Sequence, residues 1–286
     1  MIRAVSSVLI ALLLFPVVFS IRLPAASEDA LLTTGSFATA PASGKPILRF
    51  VSYNLHGPPT RRIEPMIRML QTHERLSDAA VYAFQEVDRG RAGSGGKDMA
   101  VELARALGAY YVYGVGQQFS RGGGVRGLAI LSRYALGDVE RILLPVEGPG
   151  GRRRIALGAT VHLPKGRIRV YSLHLERRIS QGQREEQMRE LLDHAGRFQI
   201  PTVVLGDFNT STRESRDRMF GLMQGAGYAC PLRGSIKTFQ SGFVVRAILD
   251  WIWVRRVPVL EAYVESQVKV SDHRPVWITI NAGQIE

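Results

Sequence analysis

IRVYSLHL (residues 168–175), QREEQMRELLDHAG (183–196) and TVVLGD (202–207) are the stretch on which the fold turns. The first and last are short, β-rich apolar runs of strand length. Between them Met188, Leu191, Leu192 and Ala195 recur at helical spacing, and Gly196 closes the run as a helix stop. That stripe faces a core. Working outward, strands are expected at 47–53, 81–85, 110–115, 127–132, 155–163, 249–254, 259–264 and 275–280, and further helices at 61–72, 98–107 and 214–225. Strands this numerous, broken by so few helices, imply an α/β protein with two sheets packed face to face and helices outside, rather than a doubly wound parallel sheet. No repeat period of 20–50 residues is visible.

A chain of 286 residues with 45% hydrophobic and 22% charged composition excludes a disordered tail, a collagen-like fibre and a polytopic membrane protein. The single cysteine, Cys230, excludes an intramolecular disulfide and an all-cysteine metal site, so a metal here must take oxygen and nitrogen ligands. The 37 basic residues stand against 25 acidic ones, a net +12, and 32 of the basic residues are arginine. Guanidinium forks match phosphate oxygens two at a time, although on charge alone solubility and genome composition account for a basic balance better. The excess is concentrated, since the window Phe119–Arg178 alone carries +8.

Arg3 precedes an apolar run, Val8–Ile21, and small residues follow at Pro24-Ala25-Ala26-Ser27, the pattern of an export signal. Residues 1–26 are read as a signal peptide or an uncleaved membrane anchor, 27–45 as a flexible linker without periodicity, and 46–283 as one folded domain. The expected location is outside the cytoplasm: periplasmic, secreted or membrane-anchored.

Several local patterns carry no chemistry. Gly93-Ser94-Gly95-Gly96-Lys97-Asp98 has a phosphate-loop look but the wrong spacing, His73-Glu74 lacks a second histidine four residues on, and no serine has the glycines of a nucleophile elbow. What remains is polar residues placed where apolar strands begin or end: Asn54 and His56, Gln85 and Glu86, His174, Asp207 and Asn209, Asp250, and Asp272 with His273. Singly, each reads as a turn former or a satisfied core residue. Together they predict one polar pocket at a shared edge, where Glu86, Asp207, Asp250 and Asp272 would repel unless a cation compensated them. Oxygen donors without a His/Cys cluster favour magnesium, with manganese or calcium as substitutes.

YNLHG, QEVD, GLAILSR, YSLHLE, LGDFN, LDWIWV and SDHRPV, in this order over about residues 47–280, resemble the endonuclease/exonuclease/phosphatase superfamily of DNase I-like, magnesium-dependent phosphoesterases. The resemblance implies a four-layered α/β sandwich with two central, mainly antiparallel β-sheets flanked by helices. It implies metal ligands at Glu86, Asn54 and Asp272 and catalytic roles for His174, Asp207, Asn209, Asp250 and His273. Asp250 would orient His273, Asp207 and Asn209 would position the nucleophile and bind phosphate, and His174 would steady the phosphate or assist the leaving group. Arg184 and Gln187 fit a weaker helix motif that buttresses the site. Leu128 stands where the family often has asparagine.

His56, Asn209, His174, Arg126, Arg152, Arg153 and Arg154 are the expected phosphate contacts. The arginine triplet beside glycine-rich turns suits a nucleic-acid backbone or an anionic membrane surface, and a solvated hairpin loop is the plain alternative. The expected activity is an exported phosphodiesterase, with nucleic acid favoured as substrate. A phospholipid headgroup phosphodiesterase or a phosphatase is the alternative, and a non-catalytic nucleic-acid or lipid binder is a third. No obligate protein partner is evident from the sequence.

Overall fold

A computed structural model describes residues 31–39, 44–55, 63–120, 123–232, 236–242 and 245–285. Residues 1–26, read from the sequence as a signal peptide or membrane anchor, and His56 lie outside them. Among the described residues there are fourteen strands: β1 (Leu32–Ser36), β2 (Ile47–Asn54), β3 (Val81–Arg89), β4 (Tyr110–Gln118), β5 (Val125–Ser132), β6 (Leu136–Leu143), β7 (Ile155–His162), β8 (Arg167–His174), β9 (Thr202–Asp207), β10 (Phe239–Ser241), β11 (Val245–Ala247), β12 (Asp250–Arg255), β13 (Val259–Val264) and β14 (Val276–Asn281). Four α-helices with full bounds accompany them among the described residues: α1 (Ile63–Thr72), α2 (Met99–Leu107), α3 (Gln181–Gly196) and α4 (Arg213–Gly225).

The strands form a seven-stranded sheet ordered β1-β4-β5-β3-β2-β14-β13, a five-stranded sheet ordered β12-β9-β8-β7-β6, and the small hairpin β10-β11. This is the expected α/β sandwich of two sheets flanked by helices. Both sheets are mixed, because β2/β3 and β8/β9 are parallel pairs in otherwise antiparallel surroundings. Period-two alternation sorts each strand between two layers. Along β2, Leu48 and Phe50 join the core between the sheets, whereas Val51 and Tyr53 pack in the layer that α1 and α2 cover. The inner strands are therefore covered on both faces, so they read as nearly continuous apolar runs.

The helices start where side chains satisfy their first N–H groups. Asp98 accepts from Ala100 and Val101 N–H and caps α2, which gives the glycine-rich stretch before it a structural role. Ser180 with Gln183, and Thr212 with Ser215, form reciprocal caps on α3 and α4. Helix α3 does end at Gly196, but the glycine is not left-handed: Arg197 follows in right-handed geometry and caps back onto His194 O.

Two expectations need correction. The linker read over 27–45 contains β1, which pairs antiparallel with β4 from Leu32↔Gly114 to Ser36↔Tyr110, so the fold begins before residue 46. Strand β6 was not expected, because Asp138, Glu140 and Arg141 interrupt the apolar alternation of a sheet-edge strand.

The parallel pairs position the site. The chain runs β2-α1-β3 and β8-α3-β9, so strand C-termini pair at one edge, Asn54 beside Gln85 and His174 beside Asp207. Antiparallel neighbours start at the same edge, with Asp250 opposite Asp207 on β12 and Val276 opposite Ser52 on β14.

Candidate active site

Asp207 sits at the centre, at the C-terminus of β9 and 2% exposed. Its approach depends on Gly206, where a Cβ would lie 2.1 Å from the carbonyl oxygen of Leu173 on the parallel neighbour. Asn54, fully buried at the end of β2, donates from Nδ2 to Asp207 Oδ2 at 3.2 Å and so joins the two sheets. His174 Nε2 lies 3.4 Å from the same oxygen. Asn209 takes φ 51°, a left-handed conformation that asparagine tolerates. From there its N–H donates to Asp207 Oδ1 at 2.9 Å and its Nδ2 to Leu175 O at 2.8 Å. Phe208, between them, is buried in the core.

Glu86 reaches the site through a backbone irregularity. The β3/β5 register shifts between Phe84 and Val87, and Glu86 has φ 57°. Such a bulge re-aims one side chain, at a backbone cost of about 1 kcal/mol or more. Gln85, buried beside it, donates across to Ser172 Oγ at 3.2 Å. Glu86 Oε2 accepts from Arg126 Nη1 at 2.5 Å, and Oε1 lies 3.9 Å from His174 Nδ1.

His273 precedes β14, and its Nδ1 meets Asp250 Oδ2 at 2.8 Å and Oδ1 at 3.1 Å. Its Nε2 lies 3.8 Å from Asp207 Oδ2. Ser271 donates to Asn54 O at 2.8 Å and accepts the His273 N–H at 3.1 Å, which fixes the loop carrying Asp272 onto β2. Thr238 Oγ1 accepts the Leu249 and Asp250 N–H groups, and the Phe239 ring stands 5.0 Å from the His273 ring.

The two histidines are driven in opposite directions. Burial pushes His174 well below the usual imidazole range, helped by Arg154, the charge of His273 and Arg126. Burial also opposes charge on His273, but Asp250, Asp207 and Asp272 outweigh it and raise His273 to about 10. Asp207 is raised to about 7, mainly by burial, with Asp250 and Glu86 adding to the rise and His273 opposing it. Charge is thus disfavoured on His174 and favoured on His273, and both rings approach the same Asp207 oxygen, a division suited to proton transfer.

Asn54, Glu86, His174, Asp207, Asn209, Asp250, Asp272 and His273 are thus brought together at one edge; Glu86, His174, Asp207, Asn209, Asp272 and His273 line a cleft of ≈ 570 Å³. Arg126, Arg152 and Arg154 line it as well. Arg153 lines the adjoining recess and pairs with Glu147 at 3.3 Å. Gln187 and Arg184 bind backbone carbonyls of neighbouring loops, Pro145 and Val146 for the first and Arg177 and Ile179 for the second. Sequence reasoning gave no role to Ser271, Thr238 and Glu176, although Ser271 and Glu176 stand in the SDHRPV and YSLHLE motifs.

The donor set suits a hard divalent cation, being carboxylate and amide oxygen at a buried edge without thiolate. Among the described residues, ligand atoms of Asp207, Asp250 and His273 lie within 4.8 Å of one another. Asp250 meets Nδ1 and Asp207 approaches Nε2 of the His273 ring, so the favoured charge on His273 accounts for this cluster without an ion. Glu86, Asn54 and Asp272 remain the oxygen donors that fit the ion.

The sequence profile of the Endonuclease/Exonuclease/phosphatase family matches residues 51–273. No curated protein matches the chain in sequence. Among solved structures, an endonuclease/exonuclease/phosphatase from Beutenbergia cavernae is 22% identical, with 83% of this chain and 72% of that one covered and a TM-score of 0.68. D. rerio TDP2 complexed with single strand DNA product is 19% identical over 83% and 100% of the chains, with a TM-score of 0.63. The human Nocturnin catalytic domain with bound sulfate anion is 18% identical over 87% and 97%, with a TM-score of 0.59. At these identities the likeness is one of fold.

Proposed function

This chain belongs to the endonuclease/exonuclease/phosphatase family, and we propose that within it the protein is an exported, magnesium-dependent phosphodiesterase acting on nucleic acid. Divalent-metal-dependent hydrolysis of phosphate esters is the family chemistry. The observation that carries the substrate reading is the cleft itself, in which the buried Asp250–His273 pair and Asp207 open beside Arg126, Arg152 and Arg154. Strand phosphates suit such arginine donors, and the solved relative bearing a DNA product shares the fold. Export is supported by Arg3, the Val8–Ile21 run and the small residues at 24–27.

Asp250 holds His273 through Nδ1, which fixes the ring and leaves Nε2 toward the cleft to hold or pass a proton. Asp207, tied to the Asn209 N–H, is placed to orient an attacking water. His174 and Asn209 line the same cleft and would contact the phosphoryl oxygens. A magnesium ion held by Glu86, Asp272 and Asn54 would polarise the phosphoryl group and neutralise charge developing in the transition state.

The test is incubation of the purified protein and magnesium with plasmid DNA, RNA and labelled phospholipid vesicles. Nucleic-acid cleavage should be abolished by EDTA and fall by orders of magnitude in His273→Ala with the fold intact. Hydrolysed vesicles beside intact nucleic acid would replace this reading with a phospholipid headgroup phosphodiesterase.

A further inference from the structure

Glu176 is fully buried although it lies at the rim of the cleft, and no catalytic step uses it. Its Oε2 accepts Arg154 Nε at 2.8 Å, and its Oε1 accepts Arg152 Nη2 at 3.1 Å and the Arg178 N–H at 3.0 Å. The Glu176 N–H is in turn held by Gln187 Oε1 at 3.0 Å, and Gln187 Nε2 donates to the Pro145 and Val146 carbonyls. Gly148 closes this loop over the carboxylate, for a Cβ there would lie 2.8 Å from Glu176 Cδ. The extended run into β7 explains the choice of arginines. Residues two apart share a face, so Arg152 and Arg154 meet Glu176, and Arg153 between them pairs with Glu147.

One buried carboxylate thus fixes two guanidiniums. Arg154 engages through Nε, which leaves its Nη groups for the cleft that it lines. Exposed Arg177 and Arg178 line the same wall, so positive charge remains after Glu176 is counted. Arg154 and His174 line both the cleft and its adjoining recess, which sets this wall beside the candidate catalytic residues.

We propose that Glu176, as a positioning residue, holds Arg152 and Arg154 as a preformed clamp for a second phosphate of the substrate, beside the phosphate being cleaved. The proposal rests on the phosphodiesterase reading and narrows its substrates to those with neighbouring phosphates. Those phosphates belong to a nucleic-acid strand or to a small multiply phosphorylated molecule, and the chemistry recognised is the same.

Calorimetric binding of thymidine 3′,5′-bisphosphate and thymidine 5′-monophosphate to the full chain and its variants tests the clamp. The wild type should bind the bisphosphate tighter by about tenfold or more, the scale of one or two charge-assisted contacts. Glu176→Gln separates geometry from charge. It raises net positive charge, so a purely electrostatic wall would bind the bisphosphate more tightly, whereas loss of the clamp brings the two affinities to within about twofold. Arg154→Ala should equalise them too, with a lowered thermal midpoint because buried Glu176 loses its nearest partner, and with monophosphate binding retained as the sign of an intact cleft. Misfolding would weaken both ligands alike. A preference for the bisphosphate that survives in both variants, or tighter binding by Glu176→Gln, would overturn the clamp. Hydrolysis of bis(p-nitrophenyl) phosphate by the wild type reports separately on the phosphodiesterase reading. A thymidine oligonucleotide that displaces the bisphosphate identifies a strand as the source of the second phosphate, and its failure to do so identifies a small molecule.

Discussion

Replacing Asp250 with asparagine keeps the shape of the site and removes the charge opposite His273. In the wild type the carboxylate is 1% exposed and meets Nδ1 at 2.8 and 3.1 Å. A charge-assisted hydrogen bond of this kind contributes about 1.5–3 kcal/mol, which sets the lower bound of the loss. Unit charges about 3 Å apart at an effective dielectric of about 20 interact by about 5 kcal/mol, which sets the upper bound. At about 1.4 kcal/mol per decade, kcat should fall by about 10- to 10⁴-fold, with the centre near 10²–10³. Asp250 is not among the residues lining the cleft, so KM should stay within about threefold, the sign of an interaction made in the transition state. The assay is steady-state hydrolysis of bis(p-nitrophenyl) phosphate in magnesium, with circular dichroism confirming the fold. A folded Asp250→Asn enzyme that keeps more than about a third of wild-type kcat would refute the assignment of His273 as the proton-transfer group.

Other expectations concern the scaffold. Gly206→Ala places a methyl group 2.1 Å from Leu173 O at φ 151°, and should cost more than about 3 kcal/mol in urea unfolding; a neutral result would mean that β8 and β9 can separate. A chain beginning at Lys45 loses β1 and bares the β4 edge, so its urea midpoint should drop by the equivalent of about 1–3 kcal/mol and it should aggregate more readily, as light scattering would report. Burial opposes charge on Glu176, but Arg154, the Arg178 N–H and Arg152 outweigh it and hold its carboxyl below the ordinary value. With the folded pKa depressed, Glu176 contributes stability that is fully present above the unfolded value of about 4.3 and is lost as pH falls through the folded one. Thermal midpoints of Glu176→Gln should therefore decline less steeply than the wild type below about pH 4, and parallel curves would contradict the assignment.

The site was more legible than the fold's edges, for a physical reason. Asn54, His174 and Asp207 end strands whose inner positions are apolar, so each stands out against its own run, and parallel pairing brings such ends together. Strand β1 was hidden because Leu32-Thr-Thr-Gly-Ser36 has the small polar composition of a linker, and its strand form comes from the edge that β4 offers. Periodicity placed Glu86 at the end of its strand but could not show the bulge that turns it into the cleft. Glu176 closes the YSLHLE motif but its role was not legible, since its burial is created by a loop from Pro145 to Arg152, far from it in sequence.

The arginine excess changes meaning in the same way. Read as charge, the Phe119–Arg178 window is a basic track of +8. In the fold, Arg169 is fully buried against Glu140, Arg133 donates to the Ser77 and Ala79 carbonyls, and Arg141 donates to Val115 O. These are structural staples, in which one guanidinium satisfies carbonyls or carboxylates that strand pairing leaves over. Arg126 is committed to Glu86 and Asp88, and Arg152 and Arg154 share Glu176. What faces the cleft is therefore led by three oriented forks held by carboxylates, Arg126, Arg152 and Arg154, with exposed Arg177 and Arg178 beside them, rather than by a diffuse positive field alone. A diffuse field would bind any polyanion and weaken uniformly with salt, whereas oriented forks discriminate by the spacing of phosphates. Selectivity that depends on phosphate spacing at fixed ligand charge would thus be a property of the fold that the net charge of +12 does not contain.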